Sequence, residues 1–253
     1  MSMVFQRSDL RVLSVCGPDA RSFLNGLITQ RTNLAVGEGA YGALLTPQGK
    51  FLVDFPLLSM SEDKLAMGLP AQAFDDVIKR LSIFKLRSQV SLIELEGLKL
   101  VSQIGAFPLD FRDSRHSEIS HDLVVSRQGK SVESYHQARA ELGVPEGAYD
   151  LIAGKSTLLD NGLASTIDWG KGCFIGQEVT ARMRYRGLLK RVLVPYQGHA
   201  EVGSDLSLNG RVIGHIRSSY RDQGFAYVLK EFVGKPLKDL QLGYPLGLSD
   251  LNL

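Results

Sequence analysis

The spacing of apolar residues along the first hundred residues limits the possible folds more than any other feature of the sequence. Segments with the features of strands and helices follow one another as strand, helix, strands, helix and strand. The predicted strands are 11–15, 41–45, 51–58, 64–69, 88–95 and 98–104, and the predicted helices begin after Asp19 and span 71–85. In both helices the apolar residues recur every three or four positions, so one stripe faces a core. This order is typical of a split βαβ arrangement and predicts an α+β fold.

The pattern changes after Arg191. A third predicted helix, 134–142, is followed much later by short strands at 192–196, 206–208, 211–216 and 224–229. Asn209-Gly210 separates two of these strands and is a strong signal for a two-residue hairpin turn. We therefore predict a main domain over 1–190 and a small C-terminal β-barrel domain over 191–253.

Composition excludes several classes of protein. The chain has 44% hydrophobic and 22% charged residues and a net charge of +2, which is ordinary for a soluble globular protein and predicts no direct nucleic-acid binding. No apolar run approaches the ~20 residues of a membrane span, so no membrane association is expected. Two cysteines cannot form a disulfide framework, and the five histidines lack metal-ligand spacing. We expect a cytoplasmic protein without a structural metal.

One segment concentrates reactive side chains. The run KGCFIGQEVTARMRYRG begins at Lys171, and the part after Cys173 is predicted to be a helix that ends near Gly187. A thiol near a helix N-terminus and beside a lysine is expected to have a lowered pKa. Glu178 and Arg182 are four residues apart and can pair on one helix face. The alternative is a solvated helix with an internal ion pair and a small buried cysteine.

This run closely resembles the signature of the YgfZ-type folate-binding proteins, which are related to the glycine-cleavage T protein (aminomethyltransferase). The segments GPDARSFLNGLITQ, TPQGKFLVDFPL, VPEGAYDLI and LLKRVLV extend the resemblance in the order of that family. The resemblance implies a T-protein-like folate-binding domain of ferredoxin-like α/β subdomains, followed by a small C-terminal β-barrel. It also implies a cleft for tetrahydrofolate or a derivative, and partners among iron–sulfur enzymes or assembly proteins.

The resemblance assigns roles by position. The implied catalytic residues are Lys171, Cys173, Glu178 and Arg182, and the implied folate-binding residues are Asp54, Asp160, Trp169, Gly172 and Gln177. Cys173 could act as a nucleophile, a redox thiol or a transient metal ligand. The basic residues that follow are either a solvated helix end or a surface for the glutamate tail of folate, RNA or an acidic partner.

Two positions depart from the pattern of the relatives. Aminomethyltransferases carry adjacent aspartates at the end of the hairpin, whereas this chain reads Val53-Asp54. Asp54 is therefore either a catalytic carboxylate or a polar residue at a strand end. Asp160 replaces an upstream glutamate and could accept N–H donors from a pterin, or it could be a turn residue beside Asn161. Trp169 either lines the cleft or covers the core.

Three functions follow from these residues. The first is a tetrahydrofolate-binding accessory factor for the assembly or repair of iron–sulfur enzymes, including tRNA-modifying ones. The alternative is a folate-dependent aminomethyl or one-carbon transferase. The third is a protein-binding module that kept the fold and lost the ligand. The single aspartate and the reactive cysteine favour the first.

Overall fold

The computed structural model describes residues 3–105, 113–187, 189–237 and 240–246, and the chain divides into two compact units. Unit 1 comprises Met1–Leu45, Leu52–Tyr135 and Thr166–Ile175. Unit 2 comprises Thr46–Phe51, His136–Ser165 and Gly176–Leu253. Within the described ranges, no helix combines the length and the hydrophobicity that a membrane crossing requires.

Unit 1 contains most of the α/β elements. Its strands are β1 (Met3–Gln6), β2 (Leu10–Cys16), β3 (Gly39–Leu45), β4 (Phe51–Ser61), β5 (Lys64–Pro70), β6 (Ser91–Glu94), β7 (Lys99–Ile104) and β8 (Ile119–Val124), and its helices are α1 (Ala20–Asn25) and α2 (Phe74–Lys85). Five strands form a sheet in the order β3-β4-β5-β2-β6. A helix follows β2 and another follows β5, so the part β4-β5-β2-β6 has the predicted split βαβ order.

The two helices of unit 1 bury the apolar stripes that the sequence predicts. Helix α1 buries Phe23 and Leu24, and α2 buries Phe74, Val77 and Leu81. These side chains join the inward residues of the five-stranded sheet in one hydrophobic cluster. Burial of such stripes, rather than intrinsic helix propensity, supplies most of the stability of short helices such as α1.

A second sheet of unit 1, in the order β1-β7-β8, was only partly predicted. Strand β1 has four residues, too few for a periodic signal. The predicted loop over 112–120 begins at a residue outside the described ranges, and its last two residues belong to β8. The strand predicted over 123–126 is wrong by several residues, because β8 buries polar side chains such as His121 that hid its alternation.

Unit 2 is built on an antiparallel, barrel-like sheet. Its strands are β9 (Arg191–Gln197), β10 (Asp205–Leu208), β11 (Arg211–Ser219), β12 (Gln223–Leu229), β13 (Pro236–Leu237) and β14 (Leu240–Leu242). Its helices are α4 (Gly147–Asp150), α5 (Gln177–Arg186) and the part of α3 (Val132–Glu141) that begins at His136. The strand order is β10-β11-β12-β9-β14-β13. The φ angles of Asn209 (50°) and Gly210 (77°) confirm the predicted hairpin turn.

The predicted domain boundary at 190/191 coincides with the first residue of β9. Unit 2 nevertheless extends well upstream of that residue. Asp150 accepts hydrogen bonds from Ser218 and Tyr220, and Arg139 donates to Tyr220 as well. These polar bonds, which are buried or partly buried, connect the segment from 136 to 165 with the barrel-like sheet. The boundary itself stays a prediction.

Candidate functional site

The signature segment lies partly in each unit. Residues from Lys171 to Ile175 belong to unit 1 as an irregular loop, and α5 begins in unit 2 with Gly176 as its N-cap. The predicted helix after Cys173 begins later than expected, since three residues separate the thiol from the first helical residue, Gln177. The predicted end is confirmed, because Gly187 is the C-cap in the left-handed region with φ of 58°.

The Lys171 ammonium fastens this loop to the end of α1 and to the segment that follows it. Its Nζ donates to the carbonyl oxygens of Asn25, Ile28 and Gln30 at 2.7, 2.8 and 2.9 Å. An ammonium has three donors, and all three are used. Burial lowers the pKa of Lys171 to about 8. The sequence led us to expect that Lys171 would favour the Cys173 thiolate, whereas its hydrogen bonds are directed to backbone carbonyls.

Further hydrogen bonds to backbone carbonyls fasten both ends of the loop. Thr29 Oγ1 donates to the Thr166 carbonyl at 2.7 Å, and the Asp168 N–H donates to the Thr29 carbonyl at 3.1 Å. At the other end, the Ile175 N–H donates to the Gly26 carbonyl at 3.3 Å. The loop is therefore held before and after its centre.

The centre of the loop faces solvent. Gly172 and Cys173 are exposed, and a Cβ added to Gly172 would meet no atom within 4 Å. The next residue, Phe174, is buried with 6% exposure and anchors the loop. Trp169 is half-buried, which leaves its two predicted roles open. The loop thus presents an accessible thiol from a fixed backbone, unlike the small buried cysteine of the alternative interpretation.

Asp54 lies within β4 and is 2% exposed, so its interpretation as a polar strand-end residue is wrong. The Tyr41 hydroxyl donates to Asp54 Oδ2 at 3.4 Å. The Arg115 guanidinium lies 3.4 Å from the centre of the Tyr41 ring and also contacts a second buried carboxylate. That carboxylate, Asp113, pairs with Arg115 at 2.6 Å and with His121 at 2.9 Å.

This buried polar network was missed by the sequence reasoning. Asp113 and Arg115 belong to a polar stretch that we predicted as a loop, and nothing in its spacing indicates burial. Burial has the largest influence on the pKa values of Asp113, Arg115 and His121. It lowers the pKa of His121, whereas the charge of Arg115 and the hydrogen bond from His121 hold the pKa of Asp113 well below its usual range.

Asp160 in unit 2 behaves as a turn residue. It lies in the 3-10 helix Leu159–Asn161, and its Oδ1 accepts the Thr157 N–H and hydroxyl and the Asn161 amide. Its Oδ2 accepts the Tyr227 hydroxyl at 2.8 Å. Both oxygens are thus occupied by protein donors. The pterin role stays a prediction that would require these donors to be displaced.

Helix α5 carries the rest of the implied site. The predicted pair is confirmed, with Arg182 donating to Glu178 Oε1 at 2.8 Å, and both side chains are mostly exposed. Gln177 is half-buried, and Thr180 is buried against the hairpin turn at Gly49. The structure brings these residues together on one helix, and their catalytic and folate-binding roles stay predictions.

Known proteins resemble the chain in both sequence and fold. No protein-family model matches it. The human mitochondrial iron–sulfur cluster assembly factor IBA57 is 27% identical, over 92% of this chain and 79% of the human protein. The IBA57 homolog of Neurospora crassa is 28% identical, over 77% of this chain and 54% of that protein. An uncharacterized protein of Haemophilus influenzae is 25% identical, over 90% of this chain and 88% of its own length.

Among solved structures, aminomethyltransferase T of the glycine cleavage system from Bartonella henselae matches with a TM-score of 0.78. It is 17% identical and covers 96% of this chain and 85% of its own. This match confirms the predicted T-protein-like α+β fold. At such low identity the match concerns the fold alone. The sequence matches add that the chain is similar to iron–sulfur cluster assembly factors.

Proposed function

We propose that the chain is a tetrahydrofolate-binding accessory factor for the assembly or repair of iron–sulfur enzymes, including tRNA-modifying ones. The exposed thiol of Cys173, on a loop that the Lys171 ammonium fastens to the core, carries this proposal. Cysteine thiolates are the usual protein ligands of iron–sulfur clusters. The similarity to proteins named as iron–sulfur cluster assembly factors supports the same role here.

The cysteine count makes a partner necessary for any cluster contact. The chain has two cysteines, and Cys16 is half-buried at the end of β2. A typical cluster is held by four thiolates. Cys173 would therefore act as one ligand, or as a nucleophile or redox thiol, toward an iron–sulfur protein or assembly partner that supplies the rest.

The proposed folate contacts lie with Asp54 and Trp169 in unit 1. A carboxylate can accept paired N–H donors from a pterin ring, and Asp54 is a buried carboxylate that already accepts the Tyr41 hydroxyl. Asp160 is less suited, because its oxygens accept four protein donors. Bound tetrahydrofolate would supply one-carbon or redox chemistry, while these residues would bind and orient it.

The cysteine role is tested by restoring an iron–sulfur enzyme in cells that lack their own factor. We expect Cys173→Ser to lower the restored enzyme activity at least tenfold at equal protein level. The matched control is Cys16→Ser, which we expect to restore activity as well as the native chain. Full activity of Cys173→Ser would eliminate all three roles of the thiol.

Folate binding is tested by calorimetric titration of the purified chain with tetrahydrofolate. We expect saturable binding that Asp54→Asn weakens at least tenfold, because the neutral amide loses a charge-assisted acceptor. Asp160→Asn should bind normally while lowering stability. Methylene transfer from an amine donor would favour the transferase, and partner binding without folate binding would favour the protein-binding module.

A further inference from the structure

A bulge in the barrel-like sheet of unit 2 places an arginine on a face with a second arginine and a histidine. Strand β11 pairs with β12 regularly at His215 and Tyr227, and the register shifts between Ile216 and Ser218. Arg217 is the extra residue at this shift. Bulges often re-aim a side chain at a functional site. Alternation along β11 puts Arg217 on the same face as His215.

The same face extends across the next two strands. Tyr227 lies opposite His215, and Leu229, two residues further along β12, lies opposite Arg191 of β9. Cross-strand partners share a face, so Arg191 joins the group. The Tyr227 ring lies beside the His215 and Arg217 side chains of this group. Its centre lies 5.8 Å from the His215 ring and 5.2 Å from the Arg217 guanidinium carbon.

Arg217 is half-buried, and among the described residues it has no partner of the kind that the buried arginines have. No described residue forms a hydrogen bond or an ion pair with its guanidinium, and its buried Nε has no acceptor. By contrast, Arg139 pairs with Asp150 at 2.7 Å, and Arg115 pairs with Asp113 at 2.6 Å. Burial lowers the pKa of Arg217. A buried donor without an acceptor is costly, so such a group indicates a missing partner.

The nearby acids do not fill this role. Asp160 bonds to the Tyr227 hydroxyl, and its oxygens already accept three further donors. Asp205 pairs in register with His215 but is exposed on the edge strand β10. The N–H donors of Arg217 and Arg191 therefore stay available to a ligand.

We propose that this face binds an oxyanion, a phosphate or carboxylate group of a small ligand, with Arg217 as its principal donor. A guanidinium presents paired N–H donors in one plane, which match two oxygens of either group. Arg191 adds charge, and His215 adds a further N–H. The inference is independent of the proposed function, because it rests on unit 2 residues outside the signature segment.

The test titrates the full chain with inorganic phosphate and, separately, with glutarate, by calorimetry and by NMR of the histidine resonances. We expect saturable binding that Arg217→Gln weakens at least tenfold, because a charge-assisted hydrogen bond is lost. The matched control is Arg211→Gln on the same strand, since Arg211 is exposed and pairs with Glu231 at 3.5 Å. It should bind within twofold of the native chain.

Histidine NMR gives a readout that a structural role of Arg217 would not move. Burial, Arg217 and Arg191 lower the pKa of His215, and Asp205 raises it. A bound anion favours the imidazolium, so the ligand should raise the pKa of His215. Binding should therefore tighten as the pH falls and His215 becomes protonated. His215→Gln assigns the resonance.

The stronger of the two ligands identifies the source: tighter phosphate binding indicates a phosphate-bearing ligand, and tighter glutarate binding a carboxylate-bearing one. Arg217→Lys keeps the charge and loses the planar pair of donors, so intermediate affinity supports the proposal and also serves if Arg217→Gln fails to fold. Absence of saturable binding by the native chain would overturn the proposal. So would equal weakening by Arg211→Gln and Arg217→Gln.

Discussion

Replacing Lys171 by methionine removes the ammonium and keeps a side chain of similar length. The native Nζ makes three hydrogen bonds of 2.7 to 2.9 Å to backbone carbonyls. A hydrogen bond to a charged group contributes roughly 1.5–3 kcal/mol, so three sum to about 5–9 kcal/mol. Part of this free energy is recovered, because water can hydrogen-bond to the released carbonyls at a half-buried site. The methionine also avoids the free-energy cost of burying a charge. We expect a net loss of about 2–4 kcal/mol in unfolding free energy.

The measurement is urea unfolding followed by tryptophan fluorescence. Trp169 is the single tryptophan of the chain and lies two residues before Lys171 in unit 1. Its fluorescence therefore reports on the loop that the Lys171 ammonium fastens. The matched control is Lys79→Met, since the Lys79 side chain is 76% exposed. An exposed substitution should change the unfolding free energy by less than about 0.5 kcal/mol. Lys171→Arg should fall between the two, because a planar guanidinium cannot aim three donors at converging carbonyls.

The pH dependence has a defined sign. Burial lowers the pKa of Lys171 from 10.5 to about 8, so the folded chain loses this proton at a lower pH than the unfolded chain. Between about pH 8 and pH 10.5 the unfolded state binds more protons, and stability rises with pH. The unfolding free energy of the native chain should therefore increase over this range relative to Lys171→Met. Equal unfolding free energies of Lys171→Met and Lys79→Met at pH 7 would refute a stabilising role of the three Lys171 hydrogen bonds.

Two further substitutions test the packing. Gly49→Ala should cost about 1–3 kcal/mol, because Gly49 has φ of 71° and its Cβ would lie 3.1 Å from a side-chain oxygen of α5; Gly187→Ala, with φ of 58° and no atom within 4 Å, should cost less in the same urea experiment. Asp113→Asn should lower the unfolding free energy by about 3–5 kcal/mol, because it removes the carboxylate charge that pairs with the buried Arg115 at 2.6 Å. A thermal melt indistinguishable from the native chain would contradict the assignment of this ion pair.

The α/β part of the fold was predictable because its signals are local. The helical stripe that contains Phe23 and Leu24 and the hairpin turn that ends at Gly49 both follow from residues close in sequence. Strand β8 was displaced in the prediction because alternation rules assume polar residues outside. His121 violates that rule, since its partner Asp113 makes burial tolerable.

The candidate site divides along the same line. The sequence alone identified the signature segment, its helix end at Gly187 and the pairing of Glu178 with Arg182, because turn chemistry and the four-residue spacing act over a few residues. Only the tertiary structure decided that Lys171 donates to carbonyls at and after the end of α1, and that Arg217 forms no hydrogen bond or ion pair with the described residues. Both facts depend on which groups meet across distant segments, and residue spacing carries no information about that.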